Sequence, residues 1–174
     1  MSDISDLNSL AAAIKPHLKS AGSLIAIEGH STAGKTVLSK ALAAACSGAP
    51  IGTDGYVDKG RNTQTYVGHL MLDKLAAVLN QLRRKHPVVF IEGICLRDTL
   101  GSLNIAPQAF VYCKHITQAG LWADDPQNYL EKGSPRSDLS WVDQQSVAYH
   151  LRARPLENAD LVYARRDEWE GSDE

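Results

Sequence analysis

Residues 27–36 read Ile-Glu-Gly-His-Ser-Thr-Ala-Gly-Lys-Thr (IEGHSTAGKT). Gly29 and Gly34 bracket four variable residues and lead directly into Lys35 and Thr36. At ordinary residue frequencies, a chance G-x-x-x-x-G-K-[ST] match in a chain this long is on the order of one in a hundred or rarer. The context sharpens the reading. "SLIAIEG" before it is short, apolar and bounded by Gly22 and Gly29, which predicts a buried strand. "KTVLSKALAAAC" after it predicts a helix with Val37, Leu38, Leu42 and Ala45 on one side. A strand leading in and a helix leading out is the arrangement in which such a loop wraps a phosphate. The glycines let successive N–H groups turn inward around an anion, and the helix N-terminus adds partial positive charge. Gly29, His30, Ser31, Thr32, Ala33, Gly34, Lys35, Thr36 and Val37 are therefore expected to hold the phosphates of a nucleotide, ATP, with His30 a filler of the loop. Lys35 is expected to reach the β- and γ-phosphates, and the Thr36 hydroxyl to bind Mg²⁺, a cation that favours hard oxygen ligands.

Outward from this loop, strands and helices alternate. "APIGTD" is a short strand. Val67, Leu70, Leu75, Val78 and Leu82 mark a helix ending in the basic "RRKH". "PVVFIEG", "QAFVYCK" and "ADLVYARR" read as strands, and "LSWVDQQSVAYHLRA" as a helix stopped by Pro155. The chain opens with an amphipathic pattern, Ile4, Leu7, Leu10, Ile14 and Leu18, ended or kinked at Pro16. Residues 55–65 and 115–138 are polar and glycine-containing; the second reads as a mobile, lid-like segment around one short helix. Residues 167–174 are expected to fray. The alternation predicts an α/β domain spanning 1–174, a mostly parallel sheet with helices on both faces.

Composition narrows the function. The 174 residues are 44% hydrophobic and 22% charged, enough for a real core. A net charge of -2 supplies no basic field for nucleic acid, and no apolar run reaches membrane-spanning length. Neither nucleic acid nor membrane is expected as a partner. The start lacks the basic and apolar regions of a signal peptide. Cys46, Cys95 and Cys113 are odd in number and widely spaced, which predicts reduced, mostly buried thiols in a cytoplasmic protein.

A phosphate loop alone does not choose among kinases, GTPases, motors and passive binders. The chain has no N-K-x-D motif for reading guanine and is short for a motor ATPase. A small-molecule kinase fits best. Asp54 ends the second strand and Glu92 the third, at the sheet edge where the loop lies, so Asp54, Glu92 and Lys35 are expected to converge. Transfer needs an acid that orients or deprotonates the acceptor hydroxyl and an acid that holds Mg²⁺.

"IAIEGHSTAGKT", "TDGY", "VVFIEGI" and "YHLRARPLENADLVY", in this order, resemble the uridine kinase and phosphoribulokinase group of P-loop kinases. The resemblance implies a three-layer P-loop NTPase fold with a five-stranded sheet. It implies Asp54 as the catalytic base, Glu92 with Thr36 at the metal, and Tyr56 near the acceptor, a nucleoside such as uridine or a similar metabolite. It also implies that the closing helix and strand pack near the adenine side. Members of that group carry an arginine-dense lid, whereas the segment here holds only Lys114, Lys132 and Arg136. Arg136, and Arg97 just past Glu92, are the candidates for the cation at the transferring phosphoryl group and the acceptor; Arg152 and Arg154 are others. The tryptophans read first as structural: Trp141 is expected in the core and Trp169 in the tail, and Trp122, in the lid-like segment, is the only candidate for a ligand contact, as the lesser reading. Two other classes remain open: a nucleotide-binding regulatory module with little transfer activity, favoured by the depleted lid, and a phosphotransferase acting on a protein or an antibiotic.

Overall fold

Ser23–Glu28 (β1) is buried at all six positions, so both of its faces and both of its edges must be covered. In the computed structural model, which describes residues 3–61 and 63–167, they are. β2 (Ala49–Gly52), β3 (Val88–Glu92) and β4 (Ala109–Ile116) join β1 in one sheet. A two-residue hairpin, β5 (Leu130–Glu131) and β6 (Ser134–Pro135), precedes the last strand, β7 (Leu161–Arg166). The five-stranded order is β2-β3-β1-β4-β7, and every pairing in it is parallel. The expected three-layer α/β architecture is therefore present.

Side chains alternate across a strand, so the two faces have separate cores. Ile25, Ile27, Val111 and Cys113 pack under α1 (Leu7–Ile14) and α2 (Lys35–Ala45) through Leu10, Ile14, Leu38 and Leu42. Leu24, Ala26, Val89 and Ile91 pack on the other face under α3 (Leu72–Lys85) and α4 (Leu96–Ser102) through Leu75, Leu79, Leu96 and Leu100. α5 (Trp141–Ala153) meets that second face through Tyr149, bonded to Glu28, and His150, edge-on to Tyr112. Its Ser140 cap accepts from Asp143 N at 3.1 Å, and Arg154 ends it in the left-handed conformation just before Pro155.

Several local expectations need correction. Ile4 is outside the opening helix: it pairs parallel with Tyr163 and so covers the outer edge of β7, while Asp6 caps α1 by accepting from Ser9 N at 2.8 Å. α3 begins at Leu72 rather than Val67, because Val67–His69 is a 3-10 turn and Leu70 bridges back to Val57. Val37 is 71% exposed, since α2 buries the stripe Lys35, Leu38, Ser39 and Leu42 instead. Trp141 is 40% exposed, its ring meeting His69 edge-on. Cys95 and Cys113 are buried free thiols, each pushed by burial up to about 12, whereas Cys46 is only half-buried. Trp169 and nearly all of the expected tail lie outside the described residues. Among the described residues, no helix is long and apolar enough to cross a membrane.

Candidate active site

The parallel register brings three strand ends level. Glu92 pairs with Ile27 on one side and with Gly52 on the other. The chain leaving β1 turns at Gly29, where φ is +151° and an added Cβ would sit 2.2 Å from the Cys113 carbonyl oxygen. It turns again at Gly34, left-handed at φ +92°, which caps α2 without any side-chain bond to that helix end. Between them the loop is closed by its own bonds. Ala33 N donates to His30 O at 3.2 Å, and the Lys35 ammonium donates to the same carbonyl at 2.6 Å. Cys113 Sγ and Arg165 Nε both donate to Ala33 O, at 3.2 and 3.3 Å.

Lys35 is buried, which pulls its pKa down, while Glu92 and Asp54 nearby favour its charge. Thr36 Oγ1 donates to Glu92 Oε1 at 2.9 Å. Burial raises the Glu92 carboxyl, partly offset by that bond and by Lys35. Gly52 makes room for it: a Cβ there would stand 2.6 Å from Glu92 Oε1. A hydroxyl and a carboxylate meeting beside the Gly29–Thr36 loop are hard oxygen donors suited to Mg²⁺. No group of three His, Cys, Asp or Glu among the described residues forms a metal cage, so such an ion would draw its other ligands from phosphate and water, as Mg²⁺ does.

Asp54 stands on a 3-10 turn, Thr53–Tyr56, that continues β2, and its carboxylate is exposed. Tyr66 OH donates to Asp54 Oδ1 at 2.7 Å and lies 3.2 Å from Thr53 Oγ1. Thr53 in turn fills the space above Gly93, where a Cβ would come within 2.0 Å of its hydroxyl. Tyr66 thus fixes the aspartate. Nothing in "NTQTYVG" marks it, since its role comes from a loop folding back across the sheet edge. A cavity of about 300 Å³ opens beside Tyr66, lined also by Gln64, Gln145, Asp98 and Arg152. Tyr56 is half-buried and packs against the core under α3.

The two arginines singled out from sequence have other partners. Arg97 donates through Nε to Glu28 Oε1 at 2.8 Å and through Nη2 to Asn158 O at 2.9 Å, with its guanidinium 3.8 Å above the Phe110 ring. It is the counter-ion of a buried carboxylate that also accepts from Tyr149 OH at 2.6 Å. Glu28 needs both, because burial alone drives its pKa up. Arg136, just past the β5–β6 hairpin, is exposed and forks onto Asp138. Arg165 is the arginine against the Gly29–Thr36 loop, its side chain lying within 3 Å of where a Gly34 Cβ would be. Arg152 pairs with Asp98 and Arg154 with Glu157.

The lid-like segment is folded onto the loop. Its Tyr129 ring stacks on His30 at 4.6 Å and 11°, and Ser31 Oγ donates to Asp143 of α5 at 2.6 Å. His30 is therefore more than filler: it is 1% exposed and its ring also stands 6.1 Å from that of His150. His150 Nδ1 lies 2.7 Å from Ser146 O, and burial lowers its pKa to about 4. A histidine folded at about 4 and unfolded near 6.5 contributes stability that is complete above 6.5 and lost as pH falls toward 4. Between pH 7 and pH 5 this group alone is expected to remove about 2 kcal/mol. Glu28 and Glu92, both raised, act in the opposite sense as pH falls. Denaturant titrations of wild type and His150→Phe at the two pH values check this. The difference in pH slope is the readout, and identical slopes would refute it.

A possible uridine kinase from Bacillus stearothermophilus superposes with a TM-score of 0.57 at 17% identity, covering 90% of this chain and 96% of that one. The chain has a P-loop kinase fold. A shikimate kinase from Bacteroides thetaiotaomicron aligns over 86% of this chain and 90% of its own, at 20% identity and a TM-score of 0.40. No protein-family model matches the sequence, and no curated protein matches it.

Proposed function

We propose that the chain is an ATP·Mg²⁺-dependent phosphotransferase acting on a hydroxyl of a small molecule. The observation that carries the reading is the convergence of Lys35, Thr36–Glu92 and Asp54 at three adjoining strand ends. Residues 29–37 hold the nucleotide phosphates. Lys35 steadies the β- and γ-phosphates. Thr36 and Glu92 hold Mg²⁺, which when bound neutralises charge on the phosphate oxygens. Asp54, held by Tyr66, takes the acceptor's hydroxyl proton; the residue is exposed and makes no salt bridge among the described residues, with Lys35 the cation near it. The cavity beside Tyr66 adjoins the tyrosine that holds Asp54, without Asp54 in its lining, and its Gln64 and Gln145 amides, next to the Asp98–Arg152 pair, suit a polyhydroxylated or nucleoside-like acceptor. The solved neighbour's description as a possible uridine kinase supports trying nucleosides first.

Release of ADP from ATP·Mg²⁺ against a panel of nucleosides, sugars and vitamin precursors tests the reading. Acceptor-dependent release is expected, with Asp54→Ala lowering kcat by about 10²- to 10⁴-fold while ATP still binds. The second reading, a nucleotide-binding module with little transfer activity, draws on Arg136 being tied to Asp138 rather than to the loop. ATP binding with no acceptor-dependent release anywhere in the panel would favour it over the kinase.

A further inference from the structure

The lid-like segment closes onto the Gly29–Thr36 loop with carboxylates, where phosphate chemistry would use cations. From Thr117 to Asp138 it carries Asp124, Asp125, Glu131 and Asp138 against Lys132 and Arg136. Arg136 is held by Asp138. The chain turns back after β4 through the Ile116–Trp122 bridge, which lays Trp122 over Lys114 and edge-on to Tyr112, 6.2 Å between ring centroids. That turn carries Asp124 inward. Asp124 is 0% exposed; its Oδ1 accepts from His115 N at 2.8 Å, and its Oδ2 is buried without a partner among the described residues.

Two contacts fasten this segment and the start of α5 to the loop. The Tyr129 ring lies flat on His30, at 4.6 Å and 11°. Asp143, in the first turn of α5, accepts from Ser31 Oγ at 2.6 Å and from Ser140 Oγ at 2.7 Å. An anion is thus bonded to a hydroxyl of the loop that the proposed reaction assigns to phosphate. Its charge is felt there. Burial lowers the His30 pKa, and Asp143 and Asp124 oppose that shift; Asp124 also favours the charge of Lys35. A triphosphate entering the loop would meet two like charges, one wholly buried and one half-buried, where water screens them weakly. The closed seam is costly in itself as well. His30 Nε2, Asp124 Oδ2 and Trp122 Nε1 are sealed in it without hydrogen-bond partners among the described residues. Unmet buried polar groups disfavour the arrangement that buries them. The stack and the Ser31–Asp143 bond therefore hold a closure that the rest of the seam resists.

We propose that these two contacts form a latch that holds the phosphate loop closed against nucleotide, and that a nucleoside triphosphate binds only once the lid and the first turn of α5 let go. The proposal rests on the reading of residues 29–37 as the nucleotide site. Only the unlatched fraction of the protein is competent, so the apparent affinity is lowered by that fraction. The carboxylates also make the latch sensitive to charge, opposing a triphosphate more than a diphosphate. Gln145, two residues beyond Asp143, accepts from Tyr66 N at 3.4 Å and lines the cavity beside it. α5 therefore joins the latch to the acceptor side of the cleft.

The test is calorimetric titration of the full chain with the non-hydrolysable ATP analogue AMPPNP and with ADP, each with Mg²⁺, alongside amide hydrogen exchange across residues 120–132 in the free protein. Two variants break the latch at separate points. Asp143→Asn removes the charge and keeps the backbone N–H that the Ser140 hydroxyl caps. Tyr129→Ala removes the stack. Each is expected to speed exchange in the lid about tenfold and to tighten AMPPNP binding about three- to tenfold. In Asp143→Asn the gain is expected to be larger for AMPPNP than for ADP, which a merely loosened structure would not produce; Tyr129→Ala is expected to help both alike. AMPPNP bound by wild type and no more tightly by either variant would overturn the latch and leave the nucleotide site standing. So would lid exchange that neither variant alters. Equal gains for AMPPNP and ADP in Asp143→Asn would overturn the opposition of charge. If Asp143→Asn does not fold, Tyr129→Ala decides alone. Saturable AMPPNP binding by none of the proteins would overturn the nucleotide reading itself, and the latch with it.

Discussion

Lys35→Met is expected to abolish phosphoryl transfer, by about 10³-fold or more, and at the same time to make the free protein harder to unfold. The two effects have one cause. Lys35 is 5% exposed, and the bonded partner of its ammonium is a single carbonyl, His30 O. Desolvating a charge for one neutral acceptor is costly, which is why burial is the largest influence on its pKa. A methionine of similar shape removes that cost; against it stands the loss of the cation that favours the Glu92 and Asp54 carboxylates, so the net gain in stability is expected to be small, about 1 kcal/mol. In the proposed reaction the charge is kept for the phosphates. A preorganised cation in a dry site stabilises the transferring group far more than the same cation in water, and removing one such group typically costs 10²–10³ or more. Single-turnover assays alongside urea unfolding measure both. Retained transfer would remove Lys35 from the mechanism, and a clear loss of stability would mean that its bond to His30 holds the loop together.

Gly29→Ala is expected to lower stability by more than about 3 kcal/mol, without touching any charged group. The new methyl would stand 2.2 Å from the carbonyl oxygen of Cys113 and 3.3 Å from the Ala33 side chain, at a φ of +151°. The obstructing atom is backbone of β4, which is hydrogen-bonded on both sides by β1 and β7 and cannot yield alone. Gly120 is the control. It too has positive φ, +79°, but nothing lies within 4 Å of its Cβ position, so Gly120→Ala is expected to cost only the backbone strain, about 1 kcal/mol. For a chain of this length, 1 kcal/mol corresponds to roughly 2–4 °C in Tm. Thermal melts that place the two variants together would show that the approach of loop to β4 is looser than described.

The frame of this fold is legible in the sequence because its signals are local. β1, the loop and α2 are consecutive, and the runs that form β3, β4 and β7 are apolar and bounded. α4 is different. Leu96–Ser102 has seven residues, too few to display a helical period, and it starts from Cys95 at φ +50° rather than from a capping side chain. The site divides in the same way. Thr36, Glu92 and Asp54 sit where strand ends meet, so topology alone predicts that they approach one another. Tyr66, Arg165 and Tyr129 reach the site from loops and an outer strand, and no neighbour in sequence announces them. Arg97 was expected at the acceptor for its place after Glu92. Its actual partner, Glu28, looks in sequence like one more residue of an apolar strand, and only the parallel packing of β1 beside β4 shows that this carboxylate is sealed in and needs a cation.

The pairing of Ile4 with β7 has a consequence for how the molecule is made. Ile4 N donates to Val162 O at 2.9 Å, and Ala164 N donates to Ile4 O at 2.8 Å. On the ribosome the first of these segments emerges long before the second. Until the last strand arrives, β4 offers an open edge and the opening segment has no strand to join. The closing of the sheet is therefore a late, long-range event, of the kind that slows folding and leaves sticky intermediates exposed. A bulky group fused just ahead of residue 4 is expected to delay that final closure and reduce soluble yield, even though it stands far along the chain from every residue of the phosphate site.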